Sequence, residues 1–155
     1  MEATLTSIQW KPAVHNGKAK PSTDDFANAQ IDAYVQGRRD ESDQVRKFVI
    51  AQIKTNTELA AKLAKQVLTF LRSKGFKPGE TRLRIVELDR LDVLIEVPQK
   101  EFLSKKFLSV YALANKLEKE NRTDVFNIAF SFLGNGGKVD ATHLRSDGFT
   151  FTLKG

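Results

Sequence analysis

The sequence predicts an α+β fold, because its hydrophobic periodicity changes halfway along the chain. Before Gly75 the apolar residues recur at helical spacing, and after it they fall in short alternating runs. Gly75 and Pro78 supply a strong stop between the two regimes. The expected architecture is a set of N-terminal helices followed by a β-β-α-β-β unit, with helices on one face of a mostly antiparallel sheet of four to five strands. A chain of 155 residues with 41% hydrophobic content can bury a core without staples, so one domain is expected. Within it, residues 1–22 form a strand or loop arm, 23–75 the helical part and 80–155 the β-β-α-β-β part.

In the arm, Leu5, Ile8 and Trp10 form a short β-prone run, suited to an edge strand or to a clamp over the core. Lys11 to Thr23 carries two Pro, one Gly and small polar residues, which is loop chemistry. Thr23 reads as an N-cap, with Asp24 and Asp25 in a first turn where carboxylates favour the helix dipole, and the helix runs to about Gln36. Asp40, Glu41 and Asp43 then open a longer helical segment reaching Lys74. Its stripe is Val45, Val49, Ile53, Leu59, Leu63, Val67 and Phe70. Thr55 to Glu58 fits a capping box, so the segment reads as either one helix or two.

Leu83 to Leu88 and Leu91 to Val97 read as strands of a hairpin turning at Asp89 and Arg90, and Pro98 ends the second. Phe102, Leu103, Phe107, Val110, Tyr111, Ala114 and Leu117 mark an amphipathic helix ending near Asn121. Phe126, Ile128, Phe130 and Phe132 alternate with smaller residues, as on a half-buried strand. A Gly-rich turn at Gly134 to Gly137 precedes a single helical turn capped by Asp140. The last strand presents Phe149, Phe151 and Leu153.

Composition excludes several chemistries. With no Cys there is no disulfide framework, thiolate zinc site or Cys nucleophile, and the expected compartment is a reducing, cytoplasmic one. No apolar run approaches the roughly 20 residues that span a bilayer, and the N-terminal ten residues resemble neither a signal nor a transit peptide. No membrane partner and no cofactor are expected.

The net charge of +6 is concentrated: residues 38–77 hold ten Lys or Arg against four Asp or Glu. At about 100° per residue, Lys47, Lys54, Lys65 and Arg72 fall within roughly 20° of one another, opposite the apolar stripe. Such a ridge meets phosphates by releasing counterions, or meets an acidic protein. No RNP-type aromatic motif, GXXG clamp or zinc finger accompanies it, so a protein partner or a second copy of the chain is preferred to nucleic acid. The expected function is a non-catalytic binding or accessory protein presenting this basic face. Nucleic-acid binding is the alternative.

A third reading, from another class, rests on Glu87, Asp89 and Asp92 around the hairpin. Acids spaced by two on one strand, with a third on its neighbour, can hold a divalent cation for nucleotidyl transfer. Over about ten residues, Val86 to Asp89 resembles the paired-acid strand of nucleotidyltransferase folds, which implies a divalent-metal enzyme. The sequence departs from that pattern at the expected Gly-Ser turn, where Gly79 is followed by Glu80. The plainer reading pairs Glu87 and Asp92 with Arg82, Arg84 or Arg90. His143, Ser146 and Asp147 are read as polar turn residues rather than a triad, because triad members are assembled by geometry and not by adjacency.

Overall fold

The computed structural model describes residues 10–12, 43–135 and 141–153. The expected helix over 23–36, the arm residues Leu5 and Ile8, and Asp140 lie outside them.

The long helical segment forms one helix, α1 (Asp43–Ser73), of 31 residues. The capping-box signal at 55–58 does not break it, because Asn56 turns its side chain into the interior. Its Nδ2 donates to the carbonyls of Leu88 at 3.0 Å and Val125 at 2.8 Å, and its Oδ1 accepts from Gln52 Nε2 at 3.0 Å. A residue type that favours caps is thus used to anchor the β-hairpin turn to the middle of a helix. Gly75 ends the helix as the sequence predicts. With φ of +83° it occupies the left-handed conformation that glycine adopts without steric penalty. Phe76 N–H donates to Leu71 O at 2.9 Å and Gly75 N–H to Arg72 O at 3.0 Å, which is a Schellman closure. Phe76 and Leu71 both belong to the core.

The strands are β1 (Trp10–Pro12), β2 (Thr81–Glu87), β3 (Arg90–Pro98), β4 (Asn127–Asn135) and β5 (Phe151–Leu153). Their order across the sheet is β1-β5-β2-β3-β4. β2 and β3 form the predicted antiparallel hairpin, and β5 lies antiparallel to both β2 and β1. The expected mostly antiparallel layout is matched only in part, because β4 runs parallel to β3 over its whole length, from Arg90↔Asn127 to Pro98↔Asn135. The sheet is therefore mixed. A parallel neighbour needs a crossover of a dozen or more residues, and the helical stretch between β3 and β4 supplies it.

That stretch is not the single predicted helix. It consists of α2 (Gln99–Phe102), a 3₁₀ turn at Lys105–Phe107 and α3 (Leu108–Asn121). Ser104 interrupts it in an extended conformation (φ −78°, ψ 151°), and its hydroxyl donates to Glu101 O at 2.7 Å. A hydroxyl bonded to nearby backbone competes with the helical ladder. The break turns Phe107 into the core, where its ring meets those of Phe76, Phe102, Tyr111 and Phe132 at centroid distances of 5.1 to 5.7 Å. Of the three aromatics expected in the core, Phe107 is buried, Phe102 half-buried and Tyr111 40% exposed.

One face of the sheet forms the core with α1 and α3. Leu83, Leu91, Val93, Ile95, Val97, Ile128 and Phe151 pack against Ala60, Leu63, Ala64, Val67 and Leu71 of α1 and Val110 and Leu117 of α3. The predicted placement of helices on one face describes α1 and α3. The turn ending α4 (Ala141–Ser146) instead reaches Arg84 on the opposite face, where Arg84 Nη1 donates to Asp147 O at 3.0 Å and the guanidinium lies 4.7 Å from the Phe149 ring centroid.

β4 is the last strand of the sheet, and its Phe130 N–H donates to Glu118 Oε2 of α3 at 3.4 Å. Burial pushes the Glu118 carboxyl above the ordinary carboxylate range, against the lowering influence of the Phe130 N–H and of Arg122. A raised acid pKa means that the folded state binds the proton more tightly, so this contribution to stability is present below the unfolded value of 4.5 and is lost as pH rises through the folded value. Glu118→Gln keeps an acceptor for Phe130 and removes the charge. Unfolding titrations from pH 4 to 7, compared between wild type and this variant, are expected to show the downward component with rising pH only in the wild type.

Candidate partner-binding face

The four cations singled out from the sequence lie on one face of a continuous helix. Lys47, Lys65 and Arg72 are exposed and Lys54 is half-exposed, while Val49, Ile53, Asn56, Ala60, Leu63, Val67 and Leu71 on the other side are buried. At 1.5 Å per residue, Lys47 and Arg72 stand about 38 Å apart along the axis. None of Lys47, Lys54 and Arg72 forms a salt bridge among the described residues. Lys62 extends the basic face and the exposed Glu58 interrupts it near its middle.

The C-terminal half of this face borders a half-open cleft of about 370 Å³, lined by Lys65, Leu68, Thr69 and Arg72 of α1, by Gly79, Glu80 and Thr81 at the start of β2, and by Leu153 of β5. The cleft lies between the C-terminal half of α1, the residues leading into β2 and Leu153 at the end of β5. Glu80 brings a carboxylate to the wall of the cleft, where Arg82 Nη2 holds it at 2.6 Å while also pairing with Glu96. Sequence reasoning found Lys65 and Arg72 here but missed Thr69, Glu80, Thr81 and Leu153. They come from three segments whose proximity only the tertiary fold creates.

The acidic trio is dispersed. Asp92 lies on the face of β3 away from the core, where Arg84 Nε donates to its Oδ2 at 3.2 Å and Arg84 Nη2 makes a second bond to the same oxygen. Glu87 is exposed beyond an irregularity in β2 and is registered with Arg90. Asp89 sits in the turn, and its backbone carbonyl accepts from Asn127 N–H at 2.6 Å. No cluster of three metal-ligating side chains occurs among the described residues. The sequence leaves Arg82, Arg84 and Arg90 open as partners, and the turn expected at Asp89 and Arg90 would set Arg84 opposite Ile95. The observed turn at Leu88 and Asp89, with a register shift between Ile85 and Glu87, sets Arg84 opposite Asp92.

The sequence did not signal the burial of Arg82. Arg82 is 4% exposed and Glu96 7%, and their side chains meet at 3.1 Å across the β2–β3 ladder. Arg82 therefore joins two carboxylates, those of Glu80 and Glu96, and supports the β2 end of the cleft from behind.

Other sequence-level candidates are turn or surface residues. Ser146 Oγ donates to Thr142 O at 3.1 Å, the Asp147 N–H donates to His143 O at 3.0 Å, and the His143 side chain is exposed. Gly134 and Asn135 complete β4, and residues 136–140 lie outside the described residues. No helix among the described residues is long and apolar enough to cross a membrane. Comparison of the chain with models of protein families, with curated proteins and with solved structures finds no match.

Proposed function

We propose that this protein is a non-catalytic binding protein that presents the basic face of α1 to an acidic polypeptide. The observation that carries the reading is the alignment of Lys47, Lys54, Lys65 and Arg72 along one face of an unbroken 31-residue helix, directly opposite its buried stripe. A solvated helix face needs charge of either sign, whereas a one-sided row of cations raises the local concentration of a negative partner.

Two features favour a polypeptide over nucleic acid. Glu58 stands within the row, where it would repel a continuous phosphate backbone but is accommodated by a partner with discrete, unevenly spaced acids. The row itself holds no aromatic side chain on which a base could stack. Acidic side chains in the partner would pair with the cations at its rim, so charge would set the association rate and its salt dependence more than the final affinity.

The test is fluorescence anisotropy with labelled oligo-glutamate, mixed-sequence RNA and duplex DNA, at low and at physiological salt. Oligo-glutamate is expected to bind at low salt and to weaken as salt rises. In the Lys47→Glu, Lys54→Glu double variant its affinity is expected to fall at least tenfold, with thermal stability nearly unchanged, because surface substitutions usually cost within about 0.5 kcal/mol. Salt-sensitive binding of RNA or DNA but not oligo-glutamate would replace the proposal with the nucleic-acid reading. Absence of binding by any of the three would leave the row a solvated face.

A further inference from the structure

We infer that the cleft beside Lys65 and Arg72 is the specificity pocket of this face, and that it takes an acidic residue together with an adjoining apolar one from the partner. The inference rests on the proposed polypeptide-binding function and assigns it a site.

Its chemistry follows from the lining. Lys65 and Arg72 are seven residues apart on α1, so they flank the cleft about 10 Å apart along the helix axis, with the exposed Thr69 hydroxyl between them. An arginine offers a planar fork of donors that matches a carboxylate bidentately, and Arg72 carries no salt bridge among the described residues. The remaining lining is different in kind: Leu68 and Leu153 offer apolar surface between the helix and the sheet. A pure polyanion has nothing to place there, whereas an acidic peptide carrying Leu or a similar residue beside the acid fills both halves.

Two further observations fit this occupant. The volume of about 370 Å³ accommodates a pair of side chains and lies at the lower end of the range for ligand pockets. Glu80 is the one carboxylate on the lining and shares Arg82 with Glu96, so Lys65 and Arg72 outnumber it two to one. The remainder of the row, Lys47 and Lys54, lies outside the cleft and provides attraction without selectivity.

The experiment compares two labelled twelve-residue probes, oligo-glutamate and a Glu-Glu-Leu repeat, on wild type and two variants. Thr69→Trp fills the cleft without changing charge, at an exposed helix position where folding tolerates it, and Arg72→Gln removes the fork. Wild type is expected to bind the Glu-Glu-Leu repeat at least tenfold more tightly than oligo-glutamate. Thr69→Trp is expected to abolish that preference while leaving oligo-glutamate affinity within about threefold, and Arg72→Gln to weaken the repeat about tenfold. Equal affinity of wild type for the two probes, or a preference that survives Thr69→Trp in a variant of unchanged melting temperature, overturns the pocket and leaves the basic face standing. Failure of both probes to bind wild type overturns the proposed function itself, and the pocket with it.

Discussion

Arg82→Ala is expected to lower the free energy of unfolding by about 3 to 5 kcal/mol, the usual consequence of removing one partner from a buried ion pair. The reason lies in what is left behind. Glu96 is 7% exposed, in the middle of a strand buried on both faces, and Arg82 Nη2 bonds its carboxylate at 3.1 Å. Without the guanidinium that carboxylate must either stay charged in a poorly solvated site or take up a proton. Glu80 adds little to this effect, because its side chain is 60% exposed and water already screens it. The paired substitution Arg82→Met, Glu96→Leu separates the cost of an orphaned charge from the worth of the pair. It is expected to recover most of the loss, since replacing both buried ions by apolar groups of similar size is often neutral or stabilising. Equilibrium urea unfolding measures both. A loss below about 1 kcal/mol for Arg82→Ala would mean that the Glu96 carboxylate reaches water when its partner is gone.

Trp10→Ala is expected to cost a similar 3 to 5 kcal/mol, the range for truncating a fully buried aromatic. Trp10 is 1% exposed and belongs to the main core. Its indole N–H donates to Thr57 O at 2.9 Å, in the middle of α1 and 47 residues away in sequence. The same residue begins β1, registered with Leu153 of β5. One side chain therefore ties an edge strand to the long helix. Trp10→Phe keeps most of the apolar contact and gives up the indole donor, so it is expected to cost less, about 1 to 3 kcal/mol. In Trp10→Ala the amide protons of β5, a three-residue strand held between β1 and β2, should exchange faster than those of β3. Unfolding curves and native-state hydrogen exchange on the same samples check the two statements together. If Trp10→Ala behaved like a surface change, the edge of the sheet would be stable without its anchor.

The elements that could be read from the sequence are those whose signal is local. The Asp40 to Lys74 periodicity and the Gly75 stop correspond to α1 and its Schellman closure, since both depend on residues within two turns of each other. The hairpin of β2 and β3 was legible for the same reason, whereas its register, and with it the pairing of Arg84 with Asp92, was set by a turn one residue earlier and an irregularity in β2. Where a local signal competed with a distant contact, the contact prevailed. Asn56 reads as part of a cap, yet it stays inside a continuous helix because Leu88 and Val125, 32 and 69 residues away, take its amide hydrogens. Ser104 shows the reverse case, a short-range bond to Glu101 that broke a helix the apolar periodicity had predicted whole.

The candidate site divides in the same way. The sequence by itself determined the basic face, because four cations on a single helix need only the helical period to align them. It also determined most core-facing residues of the helices and strands, since a hydrophobic residue repeats with its own element, but not Leu103 and Tyr111, which were expected on a buried helix face and are 71% and 40% exposed. The tertiary structure alone decided that β4 runs parallel to β3 and that Arg82 is buried between two carboxylates. It alone placed the ends of α1, β2 and β5 where Lys65 and Arg72 overlook a cleft. The physical reason is that each of these depends on which strand lies beside which. That choice is settled by the burial and satisfaction of groups drawn from the whole chain, and no window of neighbouring residues contains it.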